Sequence, residues 1–215
     1  TLENIYNKNL EANKENIEWL DATISFFSKL KCTESPTYFD ASVYAHLINP
    51  TAQSAIGCAE MSYLKNEYNK AIEFFEEAIS LSDNDNEKAE VQYKIAQIYY
   101  LNLKNFTKSR EYCRNAINSN ASFGKPYVLI GMMYADSKNI FGDDAILNST
   151  VYWAAVDKLE RAKQVDPSTA ADANKLINIY KKHYPKKDEV FFKPEIEPGK
   201  SFLIGGWINE SVIAR

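Results

Sequence analysis

Three stretches of this chain repeat one helical stripe, and that repetition constrains the fold more than any other feature of the sequence. Residues 71–79, 109–117 and 155–163 align with a small residue, a larger apolar residue and an alanine at offsets 0, 4 and 7. The sets are Ala71, Phe75 and Ala78; Ser109, Cys113 and Ala116; and Ala155, Leu159 and Ala162, with Cys113 the smallest of the middle residues. Spacings of four and three residues put these side chains on one face of an α-helix. A face built on small residues lets a second helix approach closely. Such a second helix precedes each stripe: residues 52–64 with Cys58 and Ala59, 87–101 with Ala96, and 125–135 with Gly131. An aromatic residue, Tyr68, Phe106 or Tyr152, stands three positions before the small residue of each later helix. The sequence therefore predicts an all-α row of antiparallel helix pairs.

The flanks follow from the same reading. Turn-forming residues close the first unit at 83–86 and the third at 166–168, while the middle one ends more loosely at 118–120. Within a leading region 1–50, residues 16–31 and 36–48 read as a degenerate helix pair ending at Asn49-Pro50. Three units occupy 51–167, and an insertion at 136–150 lengthens the third; long insertions in repeats map to one edge and are often functional. Residues 168–185, with Ala171, Leu176, Ile177 and Tyr180, predict a helix that caps the last apolar face. The tail, 186–215, is expected to be extended, with a short hairpin around Gly205-Gly206. Phe202 and Trp207 are too large to stay in water, so the tail is expected to pack back on the helices.

The spacing resembles the tetratricopeptide repeat, a helix–turn–helix unit of about 34 residues. The resemblance rests on Ala59, Tyr68, Ala71, Phe75 and Ala78; on Ala96, Phe106 and Ala116; and most fully on Tyr127, Gly131, Tyr134, Tyr152, Ala155, Leu159, Ala162 and Pro167. It covers roughly residues 14 to 167 and implies a right-handed superhelix. The segment 152–158, Phe191-Phe192 and the run 206–210 are similar to the C-terminal part of tetratricopeptide proteins from Bacteroidetes-type Gram-negative bacteria. That second resemblance implies a C-terminal piece of an exported protein, periplasmic or outer-membrane-associated.

Composition and motif content narrow the chemistry. With 25 basic and 29 acidic side chains, net −4, the chain lacks the concentrated positive charge that nucleic-acid binding needs. No apolar run approaches the roughly 20 residues of a membrane-spanning helix. Cys32, Cys58 and Cys113 form no C-x-x-C pair, so no metal is expected; Cys58 and Cys113 belong inside packed helices and Cys32 is the one placed for exposure. The segment beginning Asp83-Asn84-Asp85 starts like a calcium loop, but Lys88 and Lys94 stand where its glycine and bidentate glutamate belong. His46 and His183 sit on separate helices, which leaves no nucleophile–base constellation, and no glycine-rich nucleotide motif is present. No catalytic residue and no cofactor are expected.

A non-catalytic binding role remains, and the tetratricopeptide resemblance implies where. Its concave face would carry Gln53, Glu60 and Tyr63 from the first unit, Tyr93, Gln97 and Tyr100 from the second, and Lys125 and Met132 from the third. Tyrosine with Gln, Glu and Met makes an adaptable protein-contact surface. Ile56 and Glu60 stand where chaperone-binding relatives carry the Lys and Asn of a carboxylate clamp, which disfavours that role. Two alternatives stay open. A carbohydrate or small-ligand site would need Tyr63, Tyr93, Tyr100 and Trp207 to converge, and a structural subunit would dock its tail in a neighbouring copy through exposed Phe202 and Trp207.

Overall fold

A computed structural model describes residues 2–137 and 139–215. They form two compact units, the first ending at Leu103 and the second beginning at Lys104.

The first unit holds α1 (Leu2–Asn13), α2 (Ile17–Lys29), α3 (Pro36–Ile48), α4 (Ala52–Leu64), α5 (Tyr68–Leu81) and α6 (Asp85–Leu101). Local sequence sets most of these starts. The Asn16 side chain accepts from the Trp19 N–H at 3.1 Å, Thr51 and Ser54 cap α4 reciprocally, and Asn84 accepts from Asn86 and Glu87. Pro36 opens α3, where its missing N–H costs nothing. The ends of α2 and α4 share one device. Lys31 and Asn66 take left-handed φ values of 55° and 61°, and the next N–H of each closes on the carbonyl five residues back, Cys32 on Phe27 and Glu67 on Ser62, both at 2.9 Å. The turns from α2 to α3 and from α4 to α5 are thus built alike.

Leu20, Ile24 and Phe27 of α2 bury against Tyr38, Phe39, Ala41 and Ala45 of α3, with Leu10 of α1 closing the cluster. At Gly57 an added Cβ would stand 2.0 Å from Ser42 Oγ, so α3 and α4 approach closely there. Ala59, Ala71, Phe75 and Ala78 are buried in the α4–α5 pair.

The second unit holds α7 (Phe106–Ser119), α8 (Lys125–Ala135), α9 (Ala145–Ser149), α10 (Val151–Val165), α11 (Ala170–Tyr180), α12 (Lys187–Phe191), β1 (Ser201–Ile204) and β2 (Glu210–Ile213). The α8–α10 crossing is set by Gly131, whose Cβ, if present, would lie 2.9 Å from the Ala155 carbonyl oxygen. Val156 and Leu159 of α10 bury against Ala173 and Ile177 of α11, so the residues after Pro167 cover the outer face of α10.

The insertion is folded, with Lys138 lying outside the described residues. Asp144 caps α9 by accepting from Ile146 and Leu147, and Asn148 bonds both the Phe141 N–H and the Gly142 carbonyl. Phe141 reaches the hairpin, its ring 6.0 Å from that of Phe202. The tail also departs from a wholly extended course: the Glu189 carboxylate accepts from the Lys186 N–H at 2.9 Å and Val190 is buried, which is enough to fold α12. Strands β1 and β2 pair antiparallel with Phe202 opposite Val212, both buried, and Leu203 opposite Ser211, both exposed.

Candidate functional site

In the first unit, α4, α5 and α6 enclose a cleft of about 250 Å³. Tyr63 and Leu64 of α4, Phe75 of α5, and Ile98 and Leu101 of α6 make its apolar walls, with Thr33 and Glu34 from the α2–α3 turn at the rim. Tyr63, Leu64 and Leu101 are exposed, while Phe75 and Ile98 are buried. Helical spacing puts Glu60, Tyr63 and Leu64 on one stripe of α4, and Lys94, Gln97, Ile98 and Leu101 on one stripe of α6. Glu60 and Lys94 form an ion pair that ties the two helices together. The Lys94 ammonium also stands 5.7 Å from the centre of the Phe75 ring. Beneath them lies Tyr38, its hydroxyl pushed up in pKa by burial and then by the Glu60 charge. An apolar slot with one fixed charge pair suits an apolar side chain flanked by polar backbone.

In the second unit the tail hairpin is locked against the helices. Trp207 donates its indole N–H to Ser137 Oγ at 3.1 Å and packs against the rings of Phe106 and Tyr134 at 5.7 and 5.5 Å. The Arg110 guanidinium lies 4.9 Å from the Trp207 ring centre and donates to the Ile208 carbonyl at 2.6 Å. Glu210 receives the Tyr134 hydroxyl at 2.6 Å, Arg114 at 3.2 Å and Lys158 at 2.7 Å. Burial alone would raise the Glu210 carboxyl, but the Lys158 and Tyr134 hydrogen bonds and the Lys158 and Arg114 charges hold it below the ordinary value.

The expected contact residues divide between the units. Glu60, Tyr63 and Gln97 line the cleft. Gln53 instead donates to Ser28 Oγ at 3.3 Å, and Tyr93 is half-buried off the cleft. Tyr100 is 7% exposed and serves as core, because the apolar positions of α6 run around more than one face. On α8, Lys125 is exposed and Met132 half-buried. Phe202 is buried and Trp207 half-buried in the chain's own second unit. Tyr100 is therefore not open to a sugar, and the exposed Phe202 that tail docking required is not presented. Sequence reasoning missed Phe75 and Lys94 in the cleft, although the Lys94 position, three residues before Gln97, was the available signal. Among the described residues no group of three or more His, Cys, Asp or Glu side chains is placed to hold a metal ion. No helix of the described residues is long and apolar enough to cross a membrane.

These helix pairs define a helical-repeat protein. The tetratricopeptide repeat family model matches residues 60–85 and 89–123, so these two stretches read as tetratricopeptide repeats. The α8–α10 pair lies outside both stretches; its intervening insertion breaks the repeat spacing. Among curated proteins none matches the chain. Of the solved structures, a crystal structure of MamA is similar at 18% identity with a TM-score of 0.57, covering 79% of this chain and 89% of MamA. The crystal structure of YrrB, described as a tetratricopeptide protein with an unusual peptide-binding site, is similar at 18% identity with a TM-score of 0.53, covering 83% of this chain and 82% of YrrB.

Proposed function

We propose that the protein is a non-catalytic scaffold that captures a segment of a protein partner in the cleft between α4 and α6. The observation that carries this reading is the cleft itself: exposed Tyr63, Leu64 and Leu101 surround a buried floor of Phe75 and Ile98, beside the Glu60–Lys94 pair. Exposed apolar side chains gathered at a concavity mark contact sites more often than scattered ones do. The peptide-binding site named for YrrB supports the same use of a related fold. The similarity of the C-terminal part to exported proteins of Gram-negative bacteria supports a partner in the cell envelope.

The test is a peptide library presented to the full chain and to a Leu64→Lys/Leu101→Lys variant. Both positions are exposed, so the helices stay intact. Library binders should lose about tenfold or more in affinity with the variant. Binders that hold equally well to both forms would remove the cleft from the function.

A further inference from the structure

We propose that the cleft between α4 and α6 receives the Phe191-Phe192 tip of a second copy of this chain. The inference rests on the reading of the cleft as a site for a protein segment and names that segment.

Phe191 ends α12 and Phe192 follows it, 82% and 76% exposed, their rings edge to face at 5.5 Å. Adjacent phenyl rings left in water form an anchor in search of a pocket. They stand on a fixed base. Val190 is buried beneath them, and the following Lys193 is ion-paired with Asp144, the residue that caps α9. The tip is therefore held out by the fold, at little ordering cost on binding.

The cleft matches it in size and character. A cavity of roughly 150 Å³ holds a benzene ring, and the cleft, at about 250 Å³, is walled by Tyr63, Leu64, Phe75, Ile98 and Leu101. Charge selects a second copy as the source of the ring. Residues 1–103 carry 8 Lys and Arg against 16 Asp and Glu, net −8, whereas residues 104–215 carry 17 against 13, net +4. Around the tip, residues 181–200 carry 6 Lys against 4 Asp and Glu, net +2, with Asp188 and Glu189 just before the phenyl rings, and exposed Glu34 stands on the cleft rim. Docking the tip of one copy in the cleft of another brings opposite charges together, while tip against tip or cleft against cleft brings like charges together. Knob and cleft are unlike surfaces, so the contact is heterologous, and each copy offers one of each to its neighbours.

Sedimentation of the full chain across a concentration series tests this, with the knob variant Phe191→Ser/Phe192→Ser and the cleft variant Leu64→Lys/Leu101→Lys alongside. All four positions are exposed, and circular dichroism checks that the fold persists. The unmodified chain should associate with rising concentration. Either variant alone should stay monomeric, weakened about tenfold or more. An equal mixture of the two should give dimers and nothing larger, because one competent knob and one competent cleft remain. A monomeric wild type at every concentration overturns the proposal, as does association that survives in either variant. If the wild type stays monomeric while its cleft still captures library peptides, the second copy falls and the scaffold reading stands. If neither occurs, both fall.

Discussion

Gly131 sets a close backbone approach between α8 and α10. An added Cβ would meet the Ala155 carbonyl oxygen at 2.9 Å and Leu159 Cγ at 3.2 Å, and a carbonyl inside a helix has no room to give. Gly131→Ala should therefore part α8 from α10 and cost about 1–3 kcal/mol through overpacking, read as a lower urea midpoint for unfolding. An unchanged midpoint would mean that the crossing is loose. Gly131, Ala155 and Leu159 were legible because helical spacing ties small residues to a crossing. Gly57, the closest approach in the first unit, was hidden beside Cys58 and Ala59, which satisfy the same pattern and are also buried. Tyr100 was misread for a different reason. Tyrosine serves cores and surfaces alike, and periodicity identifies a face of a helix without saying what covers it.

Among the elements, the hairpin was legible and its fastening was not. Gly205-Gly206 between β-branched and aromatic runs announces a turn, and Gly206 does take a left-handed φ of 59°. The lock, however, joins Glu210 to Arg114 across 96 positions of sequence, a distance at which pattern carries no signal. The five-residue helices α9 and α12 were equally invisible, since one helical turn leaves no periodicity. The lock has a pH signature. Because the folded state depresses the Glu210 carboxyl below its ordinary 4.5, the group contributes stability that is complete above that pH and is lost as pH falls through the folded value. Protonation removes the carboxylate charge that pairs with Lys158 and Arg114. Acidification below pH 4.5 should then shift the Trp207 indole N–H resonance before global unfolding. Glu210→Gln should remove that step and show the released signal already at neutral pH. A Trp207 resonance that ignores both the acid and the substitution would assign the fastening to Arg110 and the rings alone.

For the whole molecule, a net charge of −4 conceals a division into −8 and +4. The border of the two units falls between α6 and α7, inside a stretch that the sequence reads as one repeat. In an array where each repeat touches only its neighbours, periodicity runs on unchanged across such a border, so composition counted over the whole chain averages the two halves away. The division makes a kinetic prediction for the copy-to-copy contact. Opposite net charges act at long range before the surfaces meet, and that attraction is screened within about 10 Å at 0.1 M salt and about 3 Å at 1 M. Burial of a phenyl ring against Tyr63, Phe75 and Ile98 acts only after contact and is far less sensitive to salt. Stopped-flow energy transfer between a labelled cleft variant and a labelled knob variant isolates the single competent contact. Raising the salt should slow association by roughly tenfold or more while dissociation changes little, since steering sets the on-rate and buried anchors set the off-rate. Dissociation that accelerates with salt, with association flat, would mean that ion pairs hold the complex and that Phe191 and Phe192 are incidental to it.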